Sequence, residues 1–451
     1  MIKTSAIFLF LNYCLGKKVD MSMVVAKIDW RQLYTFASRQ ALLGFCFDGI
    51  KRLTKEFSEE LKQNPMGRDL LMTWMGASQQ IHRQNMKVNA VAGKLFSMLR
   101  DDGMRCCVLK GQGNALMYPN PYSRTPGDID VWVNASREDI TDYAKTHFEI
   151  GDDIRFHHLE TSFDGVPVEL HFFPGIMNNP IDNARLQKWF KRNADLQCSN
   201  VVSLPDGIGE IAIPTTAFNV VYQLTHLYHH FFDEGIGMRQ IIDYFLVVND
   251  FSKNVFLDTD FSNHPVPLSK EGSTFSPSPS SLGSGVVTAP SRCSEPLRSK
   301  VGGPSKVSPD CAGWDRLDAI EDTSSASGSS TAVTSSASTA LDVVQRELIY
   351  LGLWKFAGAV MYVLKEVLGL SEDKMIVPMD EKRGRLLLAE ILDGGNFGRH
   401  FTKYAGFTHQ SMGKKYFLKI WRNMHFVRYY PAEALSEPIF RTWHFFWRIW
   451  H

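Results

Sequence analysis

The chain has 451 residues, of which 44% are hydrophobic, which is enough for two or three domains with apolar cores and excludes a chain that is disordered throughout. The formal net charge of +1 excludes a general electrostatic attraction to nucleic acid or membranes, so any such affinity has to be local. Seven cysteines without regular spacing form no disulfide framework, and the absence of CxxC and HExxH motifs argues against a structural zinc site or a zincin. We therefore expect a cytoplasmic protein.

The first 20 residues contain a short apolar run at residues 6–15. No small-residue cleavage pattern of a secretory leader follows it. The run is shorter than the roughly 20 apolar residues that span a bilayer, and no other segment reaches that length. We expect residues 1–20 to be an accessory extension, with Met21 or Met23 as alternative start residues, and we expect no transmembrane segment.

Residues 21–100 are predicted to form amphipathic helices. Asp29 can cap a helix over residues 30–39, a second helix is predicted over residues 47–62, and a longer one over residues 79–100. These helices most simply form a packing layer, and we assign no chemistry to them.

Residues 108–133 are the segment around which the predicted core, residues 101–200, is arranged. Two apolar strands are separated by a glycine turn and a polar stretch, which predicts strand, turn, short helix or loop, and strand. The glycine, basic and acidic residues of this segment are, in chain order, Lys110, Gly111, Arg124, Gly127, Asp128 and Asp130.

Asp128 and Asp130 are predicted to lie close together, because alternate residues of an extended chain face the same side. Two carboxylates at that separation repel each other unless a divalent cation lies between them. Oxygen ligands, completed by water and substrate phosphates, suit Mg²⁺ or Mn²⁺. A lone DxD pair is also common at solvated strand ends, so the pair alone does not define a metal site.

A third carboxylate is predicted on a hairpin at residues 155–172. Polar and apolar residues alternate on both sides of Asp164-Gly165, which is a strong hairpin-turn signal. Glu169 and His171 share one face of the returning strand. A sheet that pairs this strand with the DxD strand would surround two cations with three carboxylates, the arrangement used for in-line phosphoryl or nucleotidyl transfer. Helices are predicted on either side of the hairpin, at residues 137–146 and 186–192.

Residues 201–262 and 341–451 are predicted to form a C-terminal helical region. Its first helix, at residues 216–232, carries His226 and His230 on one face, a spacing that metal ligands also use. Because no HExxH glutamate accompanies them, we favour the alternative in which their ring nitrogens bond to neighbours or face the catalytic cleft.

Arg239 and Asp243 are four residues apart on the next predicted helix. Considered alone, this spacing predicts a surface ion pair worth roughly 0.2–0.5 kcal/mol.

Residues 263–340 separate the two parts of this helical region and are rich in serine and proline. Such a composition cannot bury enough apolar surface to offset the loss of chain entropy, so we predict a disordered insertion or linker. Helices are predicted to resume at residues 341–370 and 382–392.

The end of the chain carries an aromatic stripe of Phe440, Trp443, Trp447 and Trp450 on one helical face, preceded by several basic residues. Two alternatives remain open. The stripe is packed in the core or in a self-association face, or the helix contacts a membrane surface or a partner.

These motifs together resemble the DNA-polymerase-β-type nucleotidyltransferase superfamily, most closely a group of bacterial nucleotidyltransferases whose substrates are mostly unassigned. The resemblance covers most of the chain outside the first 20 residues and the Ser-rich segment. It implies an α+β fold, with a polymerase-β-like core of a short mixed sheet and helices, flanked by N-terminal and C-terminal helical regions. It also implies that Asp128, Asp130 and Glu169 are the metal triad, that the glycine turn at the triphosphate lies at Gly111, and that Arg239 lines the nucleotide site. Superfamily members commonly have Gly-Ser in that turn, where this chain has Lys-Gly-Gln-Gly.

We therefore expect a cytoplasmic, Mg²⁺- or Mn²⁺-dependent nucleotidyltransferase that moves a nucleoside monophosphate from an NTP to an acceptor. The two aspartates would bind both cations, and Glu169 would bind the cation that faces the acceptor and help to deprotonate its nucleophile. Lys110 and Arg124 would neutralise phosphate oxygens, and Gly127 belongs to the same nucleotide-binding segment. The acceptor is left open as a small molecule, an RNA or a protein side chain.

Two other functions are considered. A DxD-type glycosyltransferase would bind a nucleotide sugar through one Mn²⁺, but it predicts an extended α/β half before the DxD, where this sequence predicts helices. A non-catalytic nucleotide-binding module is the second alternative, and the presence of all three carboxylates argues against it.

Overall fold

The structure, a computed structural model, describes residues 4–254, 330–401 and 412–450. One compact unit consists of Met1–Thr259 together with Ala332–His451. Most of the predicted insertion at residues 263–340 lies outside the described residues. Its last eleven positions, 330–340, belong to a helix that begins at Ser330, earlier than composition indicated.

Before the sheet, the described chain is helical. The helices are α1 (Thr4–Cys14), α2 (Ser22–Val25), α3 (Trp30–Arg39), α4 (Leu43–Glu56), α5 (Ser58–Gln63) and α6 (Arg68–Asp101).

Helix α1 differs from the expected accessory extension because it packs in the interior. Phe10, Leu11 and Tyr13 are at most 1% exposed. Asn12 Nδ2 donates a hydrogen bond of 2.8 Å to the carbonyl oxygen of Val367, which joins this first helix to the C-terminal region.

The predicted start of α3 agrees with the structure, where Asp29 Oδ1 accepts a hydrogen bond of 3.0 Å from Gln32 N. The single helix predicted over residues 47–62 is divided into α4 and α5, because Phe57 has non-helical backbone angles. Helix α6 begins at Arg68 rather than at residue 79. In its first turns Trp74 is the main buried residue, so the apolar periodicity there is weak.

The larger sheet of the described residues has the strand order β1-β2-β5-β4-β3. Strand β2 pairs parallel with β5, and the other neighbours are antiparallel. The strands are β1 (Cys106–Leu109), β2 (Ile129–Val133), β3 (Glu149–Ile154), β4 (His158–Phe163) and β5 (Val166–His171), and a second small sheet contains β6 (Val201–Ser203) and β7 (Glu210–Ala212).

The helices that accompany the sheet are α7 (Gly111–Ala115), α8 (Arg137–His147) and α9 (Pro180–Ser199). Asp164 and Gly165 have positive φ at the turn between β4 and β5, which agrees with the predicted hairpin. Helix α9 is longer than the predicted segment at residues 186–192. Its start is set by Asn179, whose side chain accepts hydrogen bonds from two backbone amides of the first turn.

The two faces of β2 have different neighbours. Ile129 and Val131 belong to an apolar core that also contains Val91 and Leu95 of α6. Trp132 points to the other face and stacks on Phe218 at a ring distance of 6.0 Å. Asp130 shares this second face, which therefore carries the polar groups of the core.

The predicted C-terminal helical region begins with strands β6 and β7, and its α-helices start at Thr216. Its helices are α10 (Thr216–Asp233), α11 (Met238–Asn254), α12 (Ser330–Tyr350), α13 (Trp354–Leu368), α14 (Glu381–Gly394), α15 (Met412–Met424) and α16 (Pro431–Trp450). The helix predicted over residues 341–370 is divided at Gly352, whose φ of +72° is left-handed. The predicted α+β fold, with a short mixed sheet flanked by helical regions, is confirmed.

The aromatic stripe of α16 packs against the loop between β3 and β4. The rings of Phe440, Trp443 and Trp447 lie 6.4, 5.1 and 5.7 Å from the ring of Phe156. These contacts agree with the packed alternative for the stripe, although Trp443 stays 45% exposed.

In the part of the chain that the structure describes, we find no helix with the length and apolar character needed to cross a bilayer.

Candidate active site

The parallel pairing of β2 with β5 brings two of the three predicted metal ligands opposite each other. Asp130 is opposite Glu169 in the register, and Asp128 directly precedes β2. All three side chains line one cavity of about 550 Å³. Asp128 and Asp130 face the cavity because side chains alternate along the strand, as predicted, and Ile129 between them enters the core.

The two aspartates differ in their electrostatic surroundings. The negative charge of Asp130 raises the pKa of Asp128 to about 6, although solvent reaches the Asp128 side chain. Burial would raise the pKa of Asp130 too, but the positive charge of Lys110 and a hydrogen bond from His171 outweigh it and hold that pKa below its ordinary value. Lys110 Nζ donates to Asp130 Oδ1 at 3.1 Å.

His171 lies between two of the carboxylates. Its Nε2 is 3.0 Å from Asp130 Oδ1 and 3.2 Å from Glu169 Oε2. Burial alone would lower the pKa of His171, but these two acceptors raise it to about 9. The sequence placed His171 on the face of Glu169 by alternation, without assigning it a role.

His158 is a site residue that the sequence did not indicate. It pairs with His171 across the β4–β5 register, and its Nδ1 is 3.3 Å from Glu169 Oε2. Burial, and then the nearby His171, lower the pKa of His158 to about 3, so its ring is neutral. The only sequence signal was the His157-His158 pair at the start of a strand, which has no meaning until the partner strand is known.

These side chains fit a divalent cation. Atoms of Asp130, Glu169 and His171 that can bind a metal all lie within 4.8 Å of one another. The raised pKa of Asp128 means that Lys110 does not fully compensate the negative charge of the cluster. A dication beside the carboxylates would remove that repulsion, and carboxylate oxygens are preferred ligands of Mg²⁺ and Mn²⁺.

The turn after β1 has its unusual backbone at Lys110, whose φ is +50°. Gly111, the residue expected to form the glycine turn, lines the cavity, but a Cβ there would meet only Asp128 O at 3.9 Å. Gly113 is the more constrained glycine, since a Cβ would lie 3.1 Å from Ile213 Cγ2. Gly127 also lines the cavity and has open space around it.

Arg124 forms a buried ion pair with Asp243. Its Nε and Nη2 donate to the two carboxylate oxygens at 2.9 and 2.8 Å, and both side chains are 6% exposed. Tyr118 Oη also donates to Asp243, at 2.7 Å. The surface pair between Arg239 and Asp243 considered from their spacing is therefore wrong, because Asp243 is buried and bound by Arg124.

Arg239 also lines the cavity, and it has a weaker set of partners. Its Nη1 donates to Thr125 O at 2.9 Å, whereas its buried Nε has no hydrogen-bond partner among the described residues. Burial and the charge of Arg124 lower the pKa of Arg239. A buried donor without a partner is costly, so an anionic ligand in the cavity would find it available.

His226 and His230 line the same cavity, as expected from their common helical face. His226 Nε2 lies 3.5 Å from Lys110 Nζ, and the rings of His226 and His230 are 4.3 Å apart. Among the described residues, neither His226 nor His230 belongs to a group of closely spaced metal-binding side chains.

Comparisons with known proteins address the class of activity. Residues 26–261, a little over half of the chain, match a family described as "Uncharacterised nucleotidyltransferase". A solved structure, an antigenic nucleotidyltransferase-like protein from Paracoccidioides brasiliensis, is similar at 17% identity and a TM-score of 0.25, covering 36% of this chain and 75% of that one. No curated protein matches. The family match includes every residue predicted for the site, and the chain belongs to this uncharacterised nucleotidyltransferase family.

Proposed function

We propose that this protein is a divalent-cation-dependent nucleotidyltransferase that transfers a nucleoside monophosphate from an NTP to an acceptor and releases pyrophosphate. The observation that carries the proposal is that Asp130 and Glu169 are opposite each other on two parallel strands, and that Asp128, just before the first of these strands, lines the same cavity. Membership of the family supports the class of reaction.

Asp128, Asp130 and Glu169 would hold Mg²⁺ or Mn²⁺. When bound, such ions neutralise phosphate charge and favour the ionised form of an acceptor hydroxyl. Glu169 has a second role in the proposal, as the carboxylate that takes the proton from the acceptor. The acceptor oxygen then forms its bond to the α-phosphorus while the bond to pyrophosphate breaks.

The basic residues have distinct roles in this proposal. Lys110, fixed beside Asp130, supplies a positive charge for phosphate oxygens. Arg239 lines the cavity and its buried Nε has no hydrogen-bond partner among the described residues, so we assign the triphosphate to Arg239 rather than directly to Arg124. Arg124 would act by holding Asp243 and the segment whose Thr125 carbonyl accepts from Arg239.

Two alternative functions, a DxD-type glycosyltransferase and a non-catalytic module, make different predictions. The first predicts a different structure before the DxD motif, and the second predicts no turnover. Helices α3 to α6 occupy the region where a DxD-type glycosyltransferase needs a nucleotide-binding α/β half, which argues against that function. A non-catalytic nucleotide-binding module would bind NTPs without releasing pyrophosphate. Label transferred from an NTP would also identify the acceptor as a small molecule, an RNA or a protein.

None of the described cysteines is paired in a disulfide, which supports the cytoplasm as the proposed compartment.

The test uses purified full-length protein with each α-labelled NTP and Mg²⁺ or Mn²⁺. Pyrophosphate release and the transfer of label to protein, RNA or small molecules are followed separately. Asp130→Asn should keep the fold and reduce pyrophosphate release by about 100-fold or more, because it removes a charge shared by both cations. Asp142→Asn, an exposed aspartate on α8, is the matched control and should retain activity. Near wild-type release by Asp130→Asn would contradict the assignment.

A further inference from the structure

A loop of the C-terminal region forms part of the cavity wall beside the arginine assigned to the triphosphate. Phe397 of this loop lines the cavity together with Arg239 and His230. Its ring centre lies 5.7 Å from the guanidinium group of Arg239 and 5.4 Å from the ring of His230. Phe397 comes after residues 26–261, so the family match does not include this part of the wall.

A continuous row of side chains connects Phe397 to the carboxylates. The ring of His230 is 4.3 Å from that of His226, whose Nε2 lies 3.5 Å from Lys110 Nζ. Lys110 in turn donates to Asp130. The base and the triphosphate of a nucleotide are joined by a single ribose, so the groups that bind them have to line neighbouring parts of one cavity. Phe397, at the end of this row, meets that condition.

The loop holds Phe397 in a backbone conformation that is unusual for a bulky side chain. Its φ of +54° and ψ of +32° are left-handed. Close packing fixes the loop, because a Cβ on Gly398 would overlap the carbonyl oxygen of Glu234. A Cβ on Gly237 would likewise lie 2.7 Å from Asn396 Cα. Such strain persists where packing enforces it and is concentrated at functional sites. The ring is half-buried, so part of its surface can contact a ligand.

A buried donor next to Arg239 indicates a polar ligand in the same part of the cavity. Gln240 lines the cavity and is 6% exposed. Its Oε1 accepts a hydrogen bond of 2.6 Å from the backbone amide of Gly237, whereas its Nε2 has no partner among the described residues. Buried donors normally have partners, so this one favours a ligand with acceptor atoms. Nucleobases carry such acceptors on their edges.

We propose that Phe397 is the base-binding residue of this site: the nucleobase of the NTP stacks on its ring, with the Gln240 amide as a donor to the base edge, while the triphosphate lies at Arg239 and Lys110. This inference rests on the proposed function, because it takes the substrate to be an NTP. Every base has a π-face, so stacking adds affinity for any nucleotide and none for a molecule that lacks the base.

Ribose 5-triphosphate, which has the sugar and the phosphates but no base, separates the two parts of the site. Calorimetry with Mg²⁺ measures the affinities of the full-length protein for this compound and for ATP, GTP, CTP and UTP. We expect the tightest-binding NTP to bind at least about 5-fold more tightly than ribose triphosphate. Phe397→Leu should weaken binding of that NTP by about 5- to 100-fold and change the affinity for ribose triphosphate by less than about twofold.

Two further variants separate stacking from a general effect of the substitution. Phe397→Tyr keeps an aromatic ring and should bind NTPs within about threefold of the wild type. Phe417→Leu, an exposed phenylalanine on α15 that does not line the cavity, is the matched control and should bind as the wild type does. If Phe397→Leu does not fold, the wild-type comparison of NTPs with ribose triphosphate still decides the question.

Three results would overturn base stacking and leave Phe397 as a residue that only supports the cavity wall. They are equal wild-type affinities for NTPs and ribose triphosphate, NTP binding unchanged by Phe397→Leu, and equal weakening of both ligands by that variant. Failure of the proposed function is distinct. NTP binding that depends on Phe397, without pyrophosphate release, would retain the base-binding role and reject nucleotidyl transfer, whereas pyrophosphate release with NTP binding unchanged by Phe397→Leu would do the reverse.

Discussion

Lys110 follows the β1 strand directly, and its backbone turns sharply there, with a φ of +50° and a ψ of −112°. This sparsely populated conformation is unfavourable for a residue with a side chain, by roughly 1–3 kcal/mol. The β1–β2 register places Leu109 opposite Asp130, so the sharp turn directly after it keeps the amine at 3.1 Å from that aspartate. Strained backbone conformations are concentrated at functional sites, and Lys110 lies in the site proposed for this protein.

Glu169→Gln should suppress turnover more than nucleotide binding. In the proposed mechanism Glu169 serves the acceptor side, whereas Lys110 and Arg239 serve the phosphates. We expect turnover to fall by about 100-fold or more, with the nucleotide dissociation constant changed by less than about threefold. Calorimetry with Mg²⁺ and a pyrophosphate assay give the two quantities. Glu149→Gln, an exposed glutamate on β3, is the control, and unchanged turnover in Glu169→Gln would remove this residue from the mechanism.

Arg124→Gln should destabilise the protein much more than Arg105→Gln. The first change leaves the buried carboxylate of Asp243 without its bidentate partner, which costs about 3–5 kcal/mol. The second breaks an exposed pair with Asp195 and should cost about 1 kcal/mol or less. Urea unfolding measures both free energies. Equal losses would mean that the Arg124 pair contributes no more to stability than a surface pair.

At the scale of helices and strands, local capping and turn signals predicted some element boundaries. The side chain of Asp29 caps α3 as expected, and the Asp-Gly turn joins β4 to β5. Other boundaries were less predictable, because Phe57 interrupts a helix through its backbone angles and α6 begins before the predicted residue 79, in turns where Trp74 is the main buried residue. Neither residue produces a periodic pattern.

The candidate site was also only partly predictable from the sequence. Alternation along each strand predicted which side chains share a face, and Asp128, Asp130 and Glu169, which the sequence predicted as one site, line the same cavity. The neighbours that come from other elements were not found. His158 depends on the β4–β5 register, and Asp243 lies 119 residues from its partner Arg124, a distance in sequence at which spacing rules carry no information.

Glu433 connects α16 to the start of α9 and should make stability depend on pH. Its oxygens accept hydrogen bonds from the backbone amides of Asn178 and Asn179, but burial dominates and raises the pKa of Glu433 to about 7. The folded state therefore retains a proton that the unfolded state loses near pH 4.5. This contribution to the free energy of unfolding is complete below pH 4.5 and is lost as the pH rises to about 7.

Glu433→Gln should remove this dependence, because glutamine does not ionise. Urea unfolding at pH 4.5 and 7.5 should show the variant gaining stability relative to the wild type as the pH rises. Glu381→Gln is the control, since Glu381 occupies the first turn of α14 and is exposed. A stability difference that does not change with pH would show that folding does not raise the pKa of Glu433.

At the scale of the whole molecule, hydrogen bonds join the chain segments before and after residues 260–329. Gln40 Nε2 donates to Ile391 O at 3.0 Å, and Asn12 Nδ2 donates to Val367 O at 2.8 Å. Neither connection could be predicted from the sequence, because each joins residues more than 300 positions apart. They show why the segment predicted as an accessory extension belongs to the same compact unit as the C-terminal helices.

Replacement of residues 260–329 by a flexible linker should therefore change the melting temperature by only a few degrees. The compact unit is formed by residues on both sides of this segment, and the segment's composition predicts few packed contacts. The linker has to be long enough to put no tension on the two chain segments that it connects. A matched control cuts the wild-type chain within the same segment with a protease, after which the two fragments should remain associated through contacts such as Gln40 to Ile391. A large fall in melting temperature in the linker variant, with the fragments separating after cleavage, would show that residues 260–329 hold the two parts together.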